Sequence, residues 1–173
     1  MNKHFVIFVL CVIFLGAPLA AQDFPPVRVF GGYQYTRIGG PGGVNTNGWN
    51  AAVTVDVNRW LGVKADFSGA YKSAGEVGAQ AHTYTFGPVL SRRGERITPY
   101  VHALFGGFRA SAGFRGLGAS TNGVAMMLGG GADARISGRV SVRIVQFDWI
   151  TWNAQGVTEK KNARISTGLV FKF

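Results

Sequence analysis

Residues 61–71 read LGVKADFSGAY. Leu61, Val63, Ala65, Phe67 and Tyr71 take alternate positions, with Gly69 among them. Gly62, Lys64, Asp66, Ser68 and Ala70 fill the positions between. Successive side chains of a strand leave on opposite sides, so this alternation predicts a strand with one apolar face. Residues 49–58 repeat it, with Trp49, Ala51, Val53, Val55 and Val57 against Asn50, Ala52, Thr54, Asp56 and Asn58. The chain ends in the same way: Ile165, Thr167, Leu169, Phe171 and Phe173 alternate with Arg164, Ser166, Gly168, Val170 and Lys172.

Working outward from these runs, the sequence divides into eight alternating segments, at 27–37, 47–58, 61–72, 80–91, 96–109, 121–136, 139–151 and 162–173. The connections alternate in length. Those at 38–46, 73–79, 110–120 and 152–161 are long and rich in Gly, Asn and Ser. Asn58-Arg59-Trp60, Arg92-Arg93-Gly94-Glu95 and Ser137-Gly138 are tight. Long loops at one end and short turns at the other are the plan of an outer-membrane barrel. Eleven residues at roughly 3.3 Å each reach about 36 Å, and a tilt of about 45° reduces this to roughly 26 Å, the height of such a barrel's apolar band. An open sheet edge cannot stand in lipid, so the strands must close. The expected fold is all-β, an eight-stranded antiparallel up-and-down transmembrane β-barrel.

Alternation alone does not say which face meets which solvent; three features decide it. The polar face is rich in small residues, among them Gly62, Ser68, Ala70, Ala52, Thr54, Ala125, Gly129, Gly131, Ser166 and Gly168. Those suit an interior barely wide enough for side chains. Charges of both signs share that face: Arg28, Lys64, Arg135, Arg143, Arg164 and Lys172 with Asp56, Asp66 and Asp133. They are expected to pair inside as an ionic network, because buried charges need partners. Aromatic residues gather near segment ends. Tyr33, Tyr35, Trp49, Tyr71, Tyr84, Trp149 and Trp152 lie towards the long loops; Trp60, Phe171 and Phe173 lie towards the short turns. Two interfacial girdles would look like this. In the seventh segment Val140, Val142 and Ile144 share one phase while Phe147 and Trp149 share the other, which predicts a bulge near Ile144-Val145. Pro99 is tolerable only near a strand's start or at a bulge.

Composition narrows the alternatives. The chain has 173 residues, enough for one domain with a real core. Its 26 glycines show no Gly-X-Y period, which excludes collagen. Plentiful aromatic and β-branched residues argue against disorder. Residues 1–21 read as a secretory signal peptide: Lys3 and His4, an apolar run over Phe5–Leu15 too short to span a bilayer, then Gly16-Ala17-Pro18 and the small Ala20 and Ala21. Residues 22–173 form the expected barrel domain. Cys11 is the one cysteine and lies within that leader, so the mature chain has neither a disulfide nor a thiol nucleophile.

The run VNRWLGVKADFSGAY at 57–71 and the run RITPYVHALFGGFR at 96–109 resemble strands of the small bacterial outer-membrane barrels, the eight-stranded OmpA-like and OmpX-like class. The ending resembles the terminal signal read by the barrel-assembly machinery, matched at Ser166, Gly168, Phe171 and Phe173. The resemblance covers the whole mature chain. It implies insertion by that machinery into the cell outer membrane, contact with outer-membrane lipid and lipopolysaccharide, and a monomer. Full-length OmpA-type proteins carry a peptidoglycan-binding domain after the barrel. This chain stops at Phe173, so tethering by such a domain is not expected.

Little in the sequence points to catalysis, and no cofactor is expected. His82 and His102 lack Cys, His or carboxylate neighbours at metal-ligand spacing. His102 falls on the inward phase with Tyr100, Leu104 and Gly106, and His82 near the interface. The His-x-Ser pattern of lipid A deacylases is missing, since Thr83-Tyr84 follow His82. Gly129-Gly130-Gly131 precedes no Lys-Ser/Thr, so it reads as relief of crowding in a curved strand and not as a phosphate loop. The formal net charge of +10 is scattered, and export argues against nucleic acid. Arg109, Arg115, Lys160 and Lys161 at the long-loop end would meet lipopolysaccharide phosphates. The expected role is structural or surface-interacting, without a wide pore and without enzyme activity. A lipid A-modifying enzyme and a soluble periplasmic lipocalin-like barrel are the competing readings.

Overall fold

The computed structural model describes residues 27–39, 43–74, 77–114, 117–154 and 156–173. The leader reading at 1–21 falls outside them. Eight strands follow in order: β1 (Val27–Ile38), β2 (Val44–Asp56), β3 (Leu61–Ala74), β4 (Val77–Ser91), β5 (Ile97–Phe114), β6 (Leu117–Arg135), β7 (Val140–Ala154) and β8 (Val157–Lys172). Each pairs antiparallel with its sequence neighbours, and β1 closes on β8 in register from Arg28↔Lys172 to Arg37↔Ala163. Among the described residues there is no helix.

Three tight turns stand at the end that also holds Val27 and Phe173. Asn58 Oδ1 accepts the amides of Trp60 and Leu61, both at 2.8 Å, which fixes the β2–β3 turn as an Asx-type reversal. Gly94 N donates to Ile97 O at 3.2 Å, and Ile136 N and Ser137 N both donate to Val140 O at 3.0 Å. Pro99, third residue of β5, is exposed near the strand's start, where a missing amide is tolerated.

The opposite, distal end departs from the sequence reading. Among the described residues, the segments 38–46, 73–79, 110–120 and 152–161 are mostly strand and not loop. β5 and β6 stay paired through Ala110↔Thr121 and Ser111↔Ser120 to Phe114↔Leu117, and β7 and β8 through Ala154↔Val157. The reason is physical. Beyond the apolar band nothing requires an apolar face, so the period-2 signal fades while backbone pairing continues. At about 3.4 Å per residue, the five residues of β5 beyond Arg109 run roughly 17 Å further.

The bulge expected near Ile144-Val145 is present. β6–β7 pairing shifts register between Ala132 and Asp133, β7–β8 pairing shifts between Arg143 and Gln146, and Ile144 and Val145 both point outward. The extra residue resets the inward phase of β7 to Gln146, Asp148, Ile150 and Trp152.

Candidate functional site

The two faces of the wall are inverted relative to a water-soluble barrel. Val53, Val63, Phe67, Phe86, Val101, Phe105, Leu128, Phe147 and Ile165 all face outward and are exposed. The buried side is dominated by Asp, Lys, Arg, Asn, Gln, Ser and Thr. On the outward phase the apolar series ends, towards the distal end, on polar residues: Arg37, Asn47, His82, Arg109, Asn122, Asn153 and Lys161. An apolar outer band with a polar rim and a polar interior has lipid as its outer solvent.

The interior is filled in tiers. At the tight-turn end, Arg28 clamps Asp56 through Nε at 2.9 Å and Nη2 at 2.7 Å, and Arg93 reaches the same carboxylate at 2.7 Å. One tier up, Arg143 donates to Asp133 Oδ1 at 2.8 Å, and its guanidinium lies 4.0 Å from the Phe30 ring centre and 4.8 Å from that of Tyr100. Gln146 links this tier to the next. Its Oε1 accepts from Arg143 Nη1 at 2.7 Å, Tyr100 Oη at 2.8 Å and Lys64 Nζ at 3.1 Å, and its Nε2 donates to Asp148 Oδ2 at 2.7 Å.

The centre is built around Arg164, which is 1% exposed between Asp66 and Asp148, each at 0%. Arg164 Nη1 donates to Asp66 Oδ1 at 2.9 Å, and Arg164 Nε donates to Asp148 Oδ2 at 2.7 Å. Lys64 Nζ sits 3.1 Å from Asp66 Oδ2, Asn50 Nδ2 donates to Asp66 Oδ1 at 2.9 Å, and His102 Nε2 lies 2.8 Å from Asp148 Oδ1. Each carboxylate therefore meets at least two donors, as a buried charge must. The glycines of β6 make room for this. A Cβ on Gly129 would stand 2.2 Å from Asp148 Oδ1, and one on Gly131 would stand 2.7 Å from the Tyr100 hydroxyl.

Two expected site residues lie elsewhere. Arg135 is exposed and not interior, because two residues beyond Asp133 the strand has left the barrel mouth. Trp152 is not in an outer girdle. It is buried, with its ring 4.9 Å from and nearly parallel to that of Phe108. It differs in parity from Trp149, so it follows Gln146 inward after the bulge. The remaining aromatic positions, Tyr35, Trp49, Trp60, Tyr71 and Trp149, face outward. Trp49 Nε1 donates to Tyr71 Oη at 3.1 Å, and that hydroxyl lies 3.1 Å from His82 Nε2. Of the terminal residues, Ser166 is buried inward, Gly168 faces Gly32 across the closing seam, and Phe171 and Phe173 point out.

Sequence reading missed as members of the network Asp148, Gln146, Arg93 and Gln34, whose Oε1 accepts from Arg164 Nη1 at 3.5 Å. A bulge shifts every inward position beyond it by one, and that parity was the signal available for Asp148 and Gln146. Among the described residues no group of His, Cys and carboxylates could hold a metal ion.

A family model described as the outer membrane protein beta-barrel domain matches residues 7–173. The chain belongs to that family. Its barrel is similar to neisserial surface protein A (NspA), at TM-score 0.74 and 12% identity, covering 88% of this chain and 100% of that one. It is also similar to Ail, the attachment invasion locus protein of Yersinia pestis, at TM-score 0.62 and 17% identity over 87% and 99%. OprG from Pseudomonas aeruginosa matches at TM-score 0.59 and 11% identity over 88% and 98%. A comparison with curated protein sequences found no match. The barrel is thus an outer-membrane one, and eight strands leave no room for the channel of a 16- to 18-stranded porin.

Proposed function

We propose that this outer-membrane barrel serves at the cell surface as a structural and recognition element, and neither conducts as a wide pore nor catalyses a reaction. The observation that carries the reading is the charged filling of its centre. Arg164, Asp66, Asp148 and Lys64 occupy the axis, leaving the distal end as the part free to interact. Binding residues commonly sit on the exposed extremities of a rigid scaffold. Ail, a similar barrel, has attachment in its name and has been solved with the heparin analogue sucrose octasulfate, which supports a surface-binding role.

Around this core reading, residues 1–21 act as a cleaved export signal. Ser166, Gly168, Phe171 and Phe173 are read by the assembly machinery. The outward aromatic residues form girdles in outer-membrane lipid, and Arg109, Lys160 and Lys161, with Arg115, which lies outside the described residues, meet lipopolysaccharide phosphates. The protein works as a monomer, with no nucleic-acid partner. Two measurements test the function. Purified barrel in a planar bilayer should give no stable steps of porin size, and overexpression should leave the lipid A mass spectrum unchanged. Porin-sized steps or a new lipid A mass would overturn the reading.

A further inference from the structure

The tight-turn end of the barrel carries more positive charge than its carboxylates balance. Asp56 is held by Arg28 and Arg93, and Asp133 by Arg143. Among the described residues Glu95 is the remaining acidic side chain at this end, and it is exposed. Arg59, Arg92, Arg96, Arg135, Arg139 and Lys172 stand at the same end, the five arginines exposed. None of the six has a carboxylate within ion-pairing distance among the described residues, whereas the buried cations of the interior all have one.

Hydrogen bonds to backbone carbonyls hold these charges in one collar. Arg93 Nε donates to Arg59 O at 3.2 Å, Arg135 N to Arg96 O at 2.8 Å, and Lys172 N to Arg139 O at 2.8 Å. They join the β2–β3, β4–β5 and β6–β7 turns and the end of β8, so the collar runs round the barrel. Each turn region also repeats one pattern, an exposed arginine followed directly by an exposed apolar residue: Arg59-Trp60, Arg96-Ile97 and Arg135-Ile136. The apolar member continues the lipid-facing wall, which places its arginine where headgroups begin. There the aliphatic stem can lie on lipid while the guanidinium meets phosphate. The short turns of an outer-membrane barrel face the periplasm, so these headgroups belong to the periplasmic leaflet. We propose that the collar binds anionic phospholipid of that leaflet, with guanidinium groups on lipid phosphates. A zwitterionic headgroup brings its own ammonium, which unpaired arginines repel, so a net negative headgroup is preferred. The interleaved apolar residues select lipid over the cell wall, whose carboxylates would call for cations standing clear of the bilayer. The collar lies opposite the proposed recognition surface, and its lipid contacts do not depend on what that surface binds.

The test uses the full barrel in phosphatidylcholine vesicles doped with spin-labelled phosphatidylglycerol or spin-labelled phosphatidylcholine. The motionally restricted part of the electron spin resonance spectrum reports the lipid held at the barrel wall. Phosphatidylglycerol should be preferred about fivefold, the factor that one arginine near an anionic headgroup supplies. The preference should collapse in about 1 M NaCl, which screens exposed charges. Replacing Arg59, Arg96, Arg135 and Arg139 together by glutamine should bring it close to unity while the heat-dependent gel shift remains. Should that variant fail to fold, Arg96→Gln with Arg135→Gln should still lower the preference about twofold or more. The distal pair Arg37→Gln with Lys72→Gln removes the same charge from the other end and should lower it less. A preference that survives salt or the fourfold change, or that falls as far in the distal pair as in the turn pair, overturns the proposal. Cosedimentation with purified peptidoglycan that needs the turn arginines, without any phosphatidylglycerol preference, assigns the collar to the cell wall and also overturns it.

Discussion

Replacing Arg164 by methionine is expected to cost the barrel about 3–5 kcal/mol of unfolding free energy, the usual penalty for removing one partner of a buried ion pair. The loss comes less from the missing attraction than from what remains. Asp66 and Asp148 each lose a charge-assisted hydrogen bond at 2.9 and 2.7 Å while staying out of reach of water. Urea unfolding in phospholipid vesicles, followed by tryptophan fluorescence, measures it. Neutralising the stranded groups tests the cause: Arg164→Met combined with Asp66→Asn and Asp148→Asn should recover more than half of the loss. A smaller cycle reads the same network locally. Asp66→Ala and Lys64→Ala should each weaken the barrel, and the double variant should cost less than their sum. Strict additivity would show that the 3.1 Å contact carries no coupling.

Leu128→Arg is the second large effect. Leu128 is 68% exposed and lies midway along the outward series Val124, Met126, Leu128, Gly130 of β6. At the centre of a bilayer an arginine on the lipid face costs about 2–4 kcal/mol, falling towards zero near the interfaces. The same change at Asn122, at the polar rim, should therefore cost far less. In a water-soluble barrel the ordering would not appear, since exposed apolar-to-charged changes usually fall within about 0.5 kcal/mol. Equal, small effects at both positions would contradict the placement of lipid.

The strand count, the closure and the inside-out polarity were all legible in the sequence, because lipid on one side and a narrow polar interior on the other force period 2 over every membrane-crossing stretch. Legibility ended where that force ends. The distal hairpins, rich in Ala, Gly and Ser, keep pairing without any face to encode, so residues such as Ser111 and Ser120 read as loop. The ionic centre was half visible. Lys64, Asp66 and Arg164 sit on clean alternation, whereas Asp148 and Trp152 follow a bulge whose one-residue shift moves them inward. Arg135 kept the inward parity but lies beyond the barrel's mouth, which no alternation can reveal.

A closed barrel standing in the outer membrane with lipid on its apolar wall is read out by electrophoresis of the membrane-fraction protein with and without boiling in SDS. The expected result is a band of different apparent mass before heating, because pairing around all eight strands resists cold SDS, and no protein in the soluble periplasmic fraction. A single unshifted band, with the protein recovered in the soluble fraction, would contradict it.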